Sequence, residues 1–258
     1  MLELIDDALN MGRKKVLEIN EQRFSIVGDI HGDYISLNRI LKKAYRPVIF
    51  LGDYGDRGSK QVDVYRCVLE GYLSGEFILI RGNHETTTAF PHDLPHRLRE
   101  LDNWEDVYNK LQQFWENLPW CGLINEEIFA VHGGIFTKEC RIVDDGIEFH
   151  ELKSEDAFVE MTWNDPWERD GCEYNFERGI GFIFGRNATE RFLSDIGLKV
   201  VVRSHQPYKV LKVEQNGMVI TVGSTGVYGT DVAFLNIDGD ARNGYEMVRK
   251  YGYVLSHF

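Results

Sequence analysis

Five short polar clusters each follow directly on an apolar run. Gly28-Asp29-Ile30-His31-Gly32 follows Phe24–Val27, and Gly52-Asp53-Tyr54-Gly55-Asp56-Arg57-Gly58 follows Val48–Leu51. Arg81-Gly82-Asn83-His84-Glu85 follows Phe77–Ile80. His132-Gly133-Gly134 follows Ile128–Val131, and Arg203-Ser204-His205-Gln206 follows Val200–Val202. Asp29, His31, Asp53, Asn83, His132 and His205 together offer imidazole nitrogens and side-chain oxygens in equal number. One tetrahedral ion does not need so many ligands, whereas two ions sharing a bridging carboxylate do. Nitrogen and oxygen donors without thiolate suit manganese, iron or zinc better than calcium, and manganese is the expectation. Two such ions about 3.5–4 Å apart clamp a phosphoryl group and activate a water for attack on it. The chemistry these residues point to is phosphoester hydrolysis.

Each cluster taken alone is weak. A G-D-x-H-G segment can be a turn with an Asp at a helix N-terminus, and H-G-G can be a buried histidine bonded to backbone. Their weight comes from recurrence after strands. The short apolar runs read as buried strands, with helical stretches near 34–45 and 60–74 between the first three. Residues 97–118 read as a longer helix whose Trp104, Phe114 and Trp115, with Trp120 beyond it, are core rather than a binding box. Alternating strand and helix argues for parallel strands. Ligands bind outside the carboxyl ends of such strands, so five clusters at five ends should converge.

The remainder of the chain has a different pattern. Residues 3–16 read as a polar outer helix. Val210–Val213, Gln215-Asn216-Gly217 and Met218–Val222 read as a hairpin, and Val232–Ile237 and Gly244–Tyr251 as further strands. No repeat or linker divides the chain. The expectation is one α/β domain over 1–258, with two mixed β-sheets packed as a sandwich and flanked by helices.

The 29 Lys and Arg against 41 Asp and Glu leave a net charge of −12. That excludes a general nucleic-acid binder, which needs a basic surface. A phosphate-bearing substrate must then be held by local arginines or metal ions. No signal peptide and no run of about 18 apolar residues is present, so a cytoplasmic protein without a membrane partner is expected. Cys67, Cys121, Cys140 and Cys172 are widely spaced and read as reduced thiols. Pro91-His92-Asp93-Leu94-Pro95-His96 reads as an irregular surface loop, at most rimming the site. Oligomeric state has no signature here.

The clusters resemble the phosphoprotein phosphatase family, the Ser/Thr phosphatases that include protein phosphatases 1 and 2A. The similarity extends to Leu118-Pro119, Trp163-Asn164-Asp165-Pro166, Arg178-Gly179 and Phe184-Gly185, so it runs from about residue 23 to 230. It implies a metallo-dependent phosphatase fold, a calcineurin-like metallophosphoesterase domain, and a phosphorylated protein or peptide as substrate. Asp29, His31 and Asp53 would hold one ion. Asp53 would bridge to a second, held also by Asn83, His132 and His205. Arg57 and Arg178, with Asn83 and Tyr228, would bind the phosphate. His84, supported by Asp56, would protonate the departing serine or threonine oxygen. The resemblance implies direct attack by a metal-bridging water or hydroxide, without a phosphoenzyme.

Three features depart from the eukaryotic pattern. Gly55 stands where valine is usual, which should loosen packing without touching the ligands. The chain is short, as in compact prokaryotic members. Tyr228 lies in Gly223-Ser224-Thr225-Gly226-Val227-Tyr228-Gly229, where it would replace the family's active-site tyrosine in a shifted register. Hydrolases of dinucleoside polyphosphates share the first three motifs and form the alternative reading. A non-catalytic scaffold would lack a ligand, and none is missing.

Overall fold

The structure is a computed structural model and describes residues 1–256. In chain order its first half contains α1 (Leu2–Leu9), β1 (Val16–Ile19), β2 (Arg23–Val27), α2 (Tyr34–Leu41), β3 (Val48–Phe50) and α3 (Gln61–Leu73). It continues with β4 (Phe77–Leu79), α4 (Leu94–Leu98), α5 (Trp104–Asn117), β5 (Cys121–Ile124) and β6 (Ile128–Val131). Then come α6 (Ile142–Asp145), α7 (Glu155–Trp163), β7 (Asp165–Pro166), β8 (Cys172–Tyr174), β9 (Phe182–Phe184) and α8 (Arg186–Ile196). The last elements are β10 (Val200–Arg203), β11 (Leu211–Glu214), β12 (Val219–Val222), β13 (Val232–Asp238), α9 (Gly244–Tyr251) and β14 (Gly252–Leu255).

The strands form two large mixed sheets. One has the order β14-β13-β2-β3-β4, the other β1-β5-β6-β10-β12-β11, and a small sheet has β7-β9-β8. The parallel set β2-β3-β4 belongs to the first sheet, and β6-β10-β12 to the second. The five clusters therefore follow strands of two sheets, three in one and two in the other.

Successive residues of a strand face opposite sides, and this decides what each core contains. Phe24, Ile26 and Ile49 from one sheet meet Ile128, Ala130, Val200, Val202, Ile220 and Val222 from the other, making the core between the sheets. Val27, Val48 and Phe50 point the opposite way and pack with residues of α1, α2, α3 and α5. Phe129, Val131 and Val201 face α7 and α8. Every central strand is covered on both faces, which is why each reads as an unbroken apolar run. Phe114, Trp115 and Trp120 are buried in these cores, as expected of them.

Several readings of the sequence need correction. Gly244–Tyr251 is a helix and not a strand. Asn243 caps it by accepting from the Glu246 amide at 3.0 Å, and the Glu246 side chain accepts in return from the Arg242 amide at 3.0 Å. The Asn243 cap is a helix start signal, and it outweighs the aromatic content of the segment. The first helix ends at Leu9, and the chain re-enters as β1, paired in parallel with β5. The helical region near 97–118 is two helices, α4 and α5. The hairpin at Gln215-Asn216-Gly217 is present, with β11 and β12 antiparallel. No helix of the described residues is long and apolar enough to cross a membrane.

The cysteines are also corrected. Cys140 and Cys172 form a disulfide across 32 positions, with Cα atoms 5.2 Å apart, leaving Cys67 and Cys121 as free thiols. Spacing along the chain could not show this, because the bond joins the turn before α6 to the small sheet. Closing a loop of this length contributes about 2–4 kcal/mol. Cys140→Ser should lower the urea-unfolding free energy by about that amount, with no effect of reductant on the variant. Alkylation of the unreduced, denatured protein that labelled all four cysteines would refute the bond.

Candidate metal centre and phosphate site

The two sheets meet at the ends of β2, β10 and β12. Asp29 and Gly223 form a single parallel bridge across the junction. The Asp29 amide donates to Ser204 Oγ at 2.7 Å, and the Ser204 hydroxyl donates back to Asp29 Oδ1. The His205 amide donates to the same oxygen at 3.0 Å. Within each sheet the loops are tied as well. The Ile30 and His31 amides donate to the Asp53 carbonyl at 3.0 and 2.8 Å, and the Ser204 amide to the His132 carbonyl at 2.9 Å. Glu85 is fully buried and accepts from the amides of Asp53, Tyr54 and Gly82 at 2.8–3.0 Å.

These turns are tight. Gly52 has φ +105°, and a Cβ there would lie 2.4 Å from the Gly82 amide nitrogen; a Cβ at Gly82 would lie 2.2 Å from Asp53 Oδ1. His31, Asp53, Asp56, Arg57 and His205 all have φ between 47° and 69°. A left-handed conformation costs a non-glycine residue about 1–3 kcal/mol and persists where the surroundings enforce it. Gly55 does not loosen the packing as expected. Tyr65 and Leu94 occupy the space above it, 3.1 and 3.5 Å from where a Cβ would sit.

The six expected ligands are brought together, all 6% exposed or less. His31 Nε2 lies 3.5 Å from Asp53 Oδ2 and 3.8 Å from Asp29 Oδ2. His132 Nε2 lies 3.5 Å from Asp53 Oδ2, 2.8 Å from Asn83 Oδ1 and 3.1 Å from His205 Nδ1. Asp53 is thus common to two ligand groups, one with His31 and His84, the other with His132 and His205. The far nitrogens of His31 and His132 face the carbonyls of Gly55 and Leu51, each at 2.9 Å, which leaves both Nε2 atoms aimed at the centre.

The electrostatics fit divalent cations. Burial, then the charges of Asp29 and Glu85, push the Asp53 carboxyl well above its ordinary range. Burial pushes His31 and His132 down to about 4, so both are neutral imidazoles able to ligate. Burial, then the charge of Arg178, pushes His205 well below its ordinary value. Asp29 Oδ2 and His205 Nε2 are buried without a hydrogen-bond partner. Buried acceptors without partners are costly, and cations beside them would remove both that penalty and the repulsion at Asp53.

The other expected residues border this cluster. His84 Nδ1 meets Asp56 Oδ2 at 2.6 Å, its amide donates to Asp53 Oδ1 at 2.9 Å, and its ring lies edge-on to His31 at 4.9 Å. Asp56 is 1% exposed, so its adjacency to Arg57 is no surface ion pair. Arg57 is half-buried with its Nε unpartnered. Tyr228 is 46% exposed and stands 6.0 Å from the His31 ring. Arg178 lies in the turn between β8 and β9, forms a two-pronged ion pair with Asp165, and reaches the His205 carbonyl at 3.4 Å.

Some residues of the site were not read from the sequence. Asp165 also accepts from Arg203, which is fully buried, at 3.0 Å. One carboxylate therefore orients both arginines, and its signal was the Trp-Asn-Asp-Pro segment. Ser204 and Glu85 lay inside recognised clusters without an assigned task. His92 sits in the segment read as a surface loop, yet its Nδ1 lies 2.9 Å from Asp56 Oδ2 and its side chain is 10% exposed.

Paired sheets with clustered ligands at their shared edge define a metallophosphoesterase. The chain belongs to the calcineurin-like phosphoesterase family, whose model matches residues 22–209, and to its phosphoprotein phosphatase branch. A serine/threonine-protein phosphatase 4 catalytic subunit of Kluyveromyces lactis is 30% identical over 239 residues, covering 86% of this chain and 76% of the relative. A probable serine/threonine-protein phosphatase of Encephalitozoon cuniculi is 33% identical over 216 residues, covering 79% and 47%. The chain spans less than half of that relative, and 42% of a tomato serine/threonine-protein phosphatase 5. A solved Saccharomyces cerevisiae protein serine/threonine phosphatase superposes with a TM-score of 0.81 at 23% identity, over 100% of this chain and 89% of that one, which shows the fold. A putative diadenosine tetraphosphatase has a TM-score of 0.57 at 17% identity, covering 95% and 98%.

A ligand that binds only the folded state raises stability by mass action. Manganese added to metal-free protein should raise the melting temperature, and Asp53→Asn should abolish most of the rise. Equal shifts in both proteins would place the ions elsewhere.

Proposed function

We propose that this chain is a metal-dependent phosphoprotein phosphatase that hydrolyses phosphoserine and phosphothreonine, with one catalytic domain across residues 1–258. The observation that carries this reading is the sharing of Asp53 between two buried groups of ligands. Asp29, His31 and Asp53 would hold one divalent ion; Asp53, Asn83, His132 and His205 a second; manganese is the ion we propose. When bound, the two ions supply Lewis acidity at the phosphoryl oxygens and a water activated for in-line attack.

The chain's own side chains account for the remaining work. Arg57 and Arg178 would each aim a guanidinium at the phosphate oxygens, where charge builds in the transition state. Asp165 holds Arg178 in place and so reduces the ordering needed on binding. Asn83 and Tyr228 border the same space. His84 would donate its Nε2 proton to the departing serine or threonine oxygen, because an alkoxide is too basic to leave unprotonated. Asp56 faces Nδ1 of that ring and fixes its orientation. The relatives named as serine/threonine-protein phosphatases support the substrate class.

Chelation should abolish hydrolysis of a phosphoserine peptide, and manganese should restore it. The same sample should turn over diadenosine tetraphosphate poorly; the reverse preference would make this chain a dinucleoside polyphosphate hydrolase. His84→Asn should lower kcat on the peptide by about 10²–10⁴-fold with metal content unchanged. Loss of metal in that variant would reassign His84 as a ligand.

A further inference from the structure

Asp56 has more partners than the proposed proton donor requires. One carboxylate oxygen, Oδ2, meets Nδ1 of His84 at 2.6 Å and Nδ1 of His92 at 2.9 Å. The other, Oδ1, accepts from the amides of Asp93 and Leu94 at 2.8 and 2.9 Å. His92 Nε2 in turn faces the Tyr108 hydroxyl at 2.9 Å. Because an ionised carboxylate oxygen only accepts, His92 Nδ1 is the donor in its contact with Asp56. The His92 ring is also fixed by packing, edge-on to Trp115 at 6.2 Å and beside Tyr108 at 5.8 Å. Burial pushes the Asp56 carboxyl up, and the hydrogen bonds from His84 and His92 outweigh it, so the group stays ionised.

A carboxylate held only by His84 can turn about its side-chain bonds and carry that ring with it. One held at four points cannot. We propose that His92, backed by Tyr108, is a positioning residue for leaving-group protonation: it fixes Asp56 so that His84 keeps its Nε2 toward the phosphate. The proposal rests on the reading of His84 as proton donor. His92 itself exchanges no proton in the reaction. The proton on His84 Nε2 goes to the serine oxygen as the oxygen–phosphorus bond breaks, and the attacking water supplies the new oxygen on phosphorus.

The test separates the need for a proton from general damage. A phosphoserine peptide has an alkoxide leaving group, whereas p-nitrophenyl phosphate releases a phenolate that needs no protonation. In manganese-loaded protein, His92→Phe should lower kcat on the peptide roughly 10–100-fold, the usual effect of removing an outer-shell partner, with KM and turnover of p-nitrophenyl phosphate nearly unchanged. His92→Asn, whose amide can donate in place of Nδ1, should recover most of the loss. Tyr108→Phe should give a smaller loss with the same substrate pattern. Adding His92→Phe to His84→Asn should cost nothing further, since residues acting as a unit are not additive. In metal-free protein with ¹⁵N-labelled histidine, the His84 Nδ1–H proton resonance should move in His92→Phe. Equal loss on both substrates, an unaltered kcat on the peptide, or additive losses in the double variant would each overturn the proposal. Failure of the unmodified, manganese-loaded protein on the peptide would instead sink the reading of the site beneath it.

Discussion

The site exists only because two separate sheets are stitched at Asp29. Four of the six expected ligands, Asp29, His31, Asp53 and Asn83, follow strands of one sheet, and two, His132 and His205, follow strands of the other. The bonds from Ser204 and the His205 amide to Asp29 Oδ1 fix the offset between them. Those bonds also use up one oxygen of Asp29 and leave Oδ2 without a partner. The junction therefore does two things with a single side chain. It closes the edge of the sandwich, and it presents a desolvated acceptor to the centre.

Around that junction the structure carries charge and strain that nothing in the packing requires. Asp29, Asp53, Asp56 and Glu85 are all buried, and the charges of the other three each act on Asp53. Two of them are compensated locally, Asp29 by neighbouring histidines and Ser204, and Asp56 by His84 and His92. Glu85 accepts from three backbone amides, yet burial still pushes its carboxyl up, and burial with the charges of Asp29 and Glu85 pushes Asp53 well up. Burying an ion without a counterion costs several kcal/mol. Left-handed backbone at five polar residues adds to the cost. Such expense in one place is typical of a site where binding a ligand supplies the missing compensation.

The surrounding parts set orientation more than they supply chemistry. Arg178 projects from a turn of the small sheet, which is tethered through Cys172 to the turn at Cys140 and held at Asp165. His92 reaches back from the loop after the third cluster. The side chains that would face the substrate, Arg178 and His84, are each anchored by a carboxylate, Asp165 and Asp56, and His92 holds the second of these. Geometry held in advance lowers the ordering needed when substrate arrives.

Much of this was legible in the chain. The strands β2, β3, β4, β6 and β10 show as apolar runs because they are covered on both faces, and the polar clusters after them mark where the chain leaves the core. Asp29, His31, Asp53, Asn83, His132 and His205 could be named because ligand chemistry restricts side-chain type. Other features had no local signature. The Cys140–Cys172 bond, the return of His92 to Asp56, and the double grip of Asp165 on Arg178 and Arg203 join segments whose spacing follows no rule. The prolines around His92 correctly signalled irregular backbone, and irregular backbone says nothing about which way a side chain will point. Gly244–Tyr251, read as a strand, is a helix started by the cap at Asn243, just outside the segment read. Composition and periodicity report what each segment buries; only the folded arrangement decides which buried segments become neighbours, because contacts between distant residues are chosen by packing of the whole and not by any stretch of it.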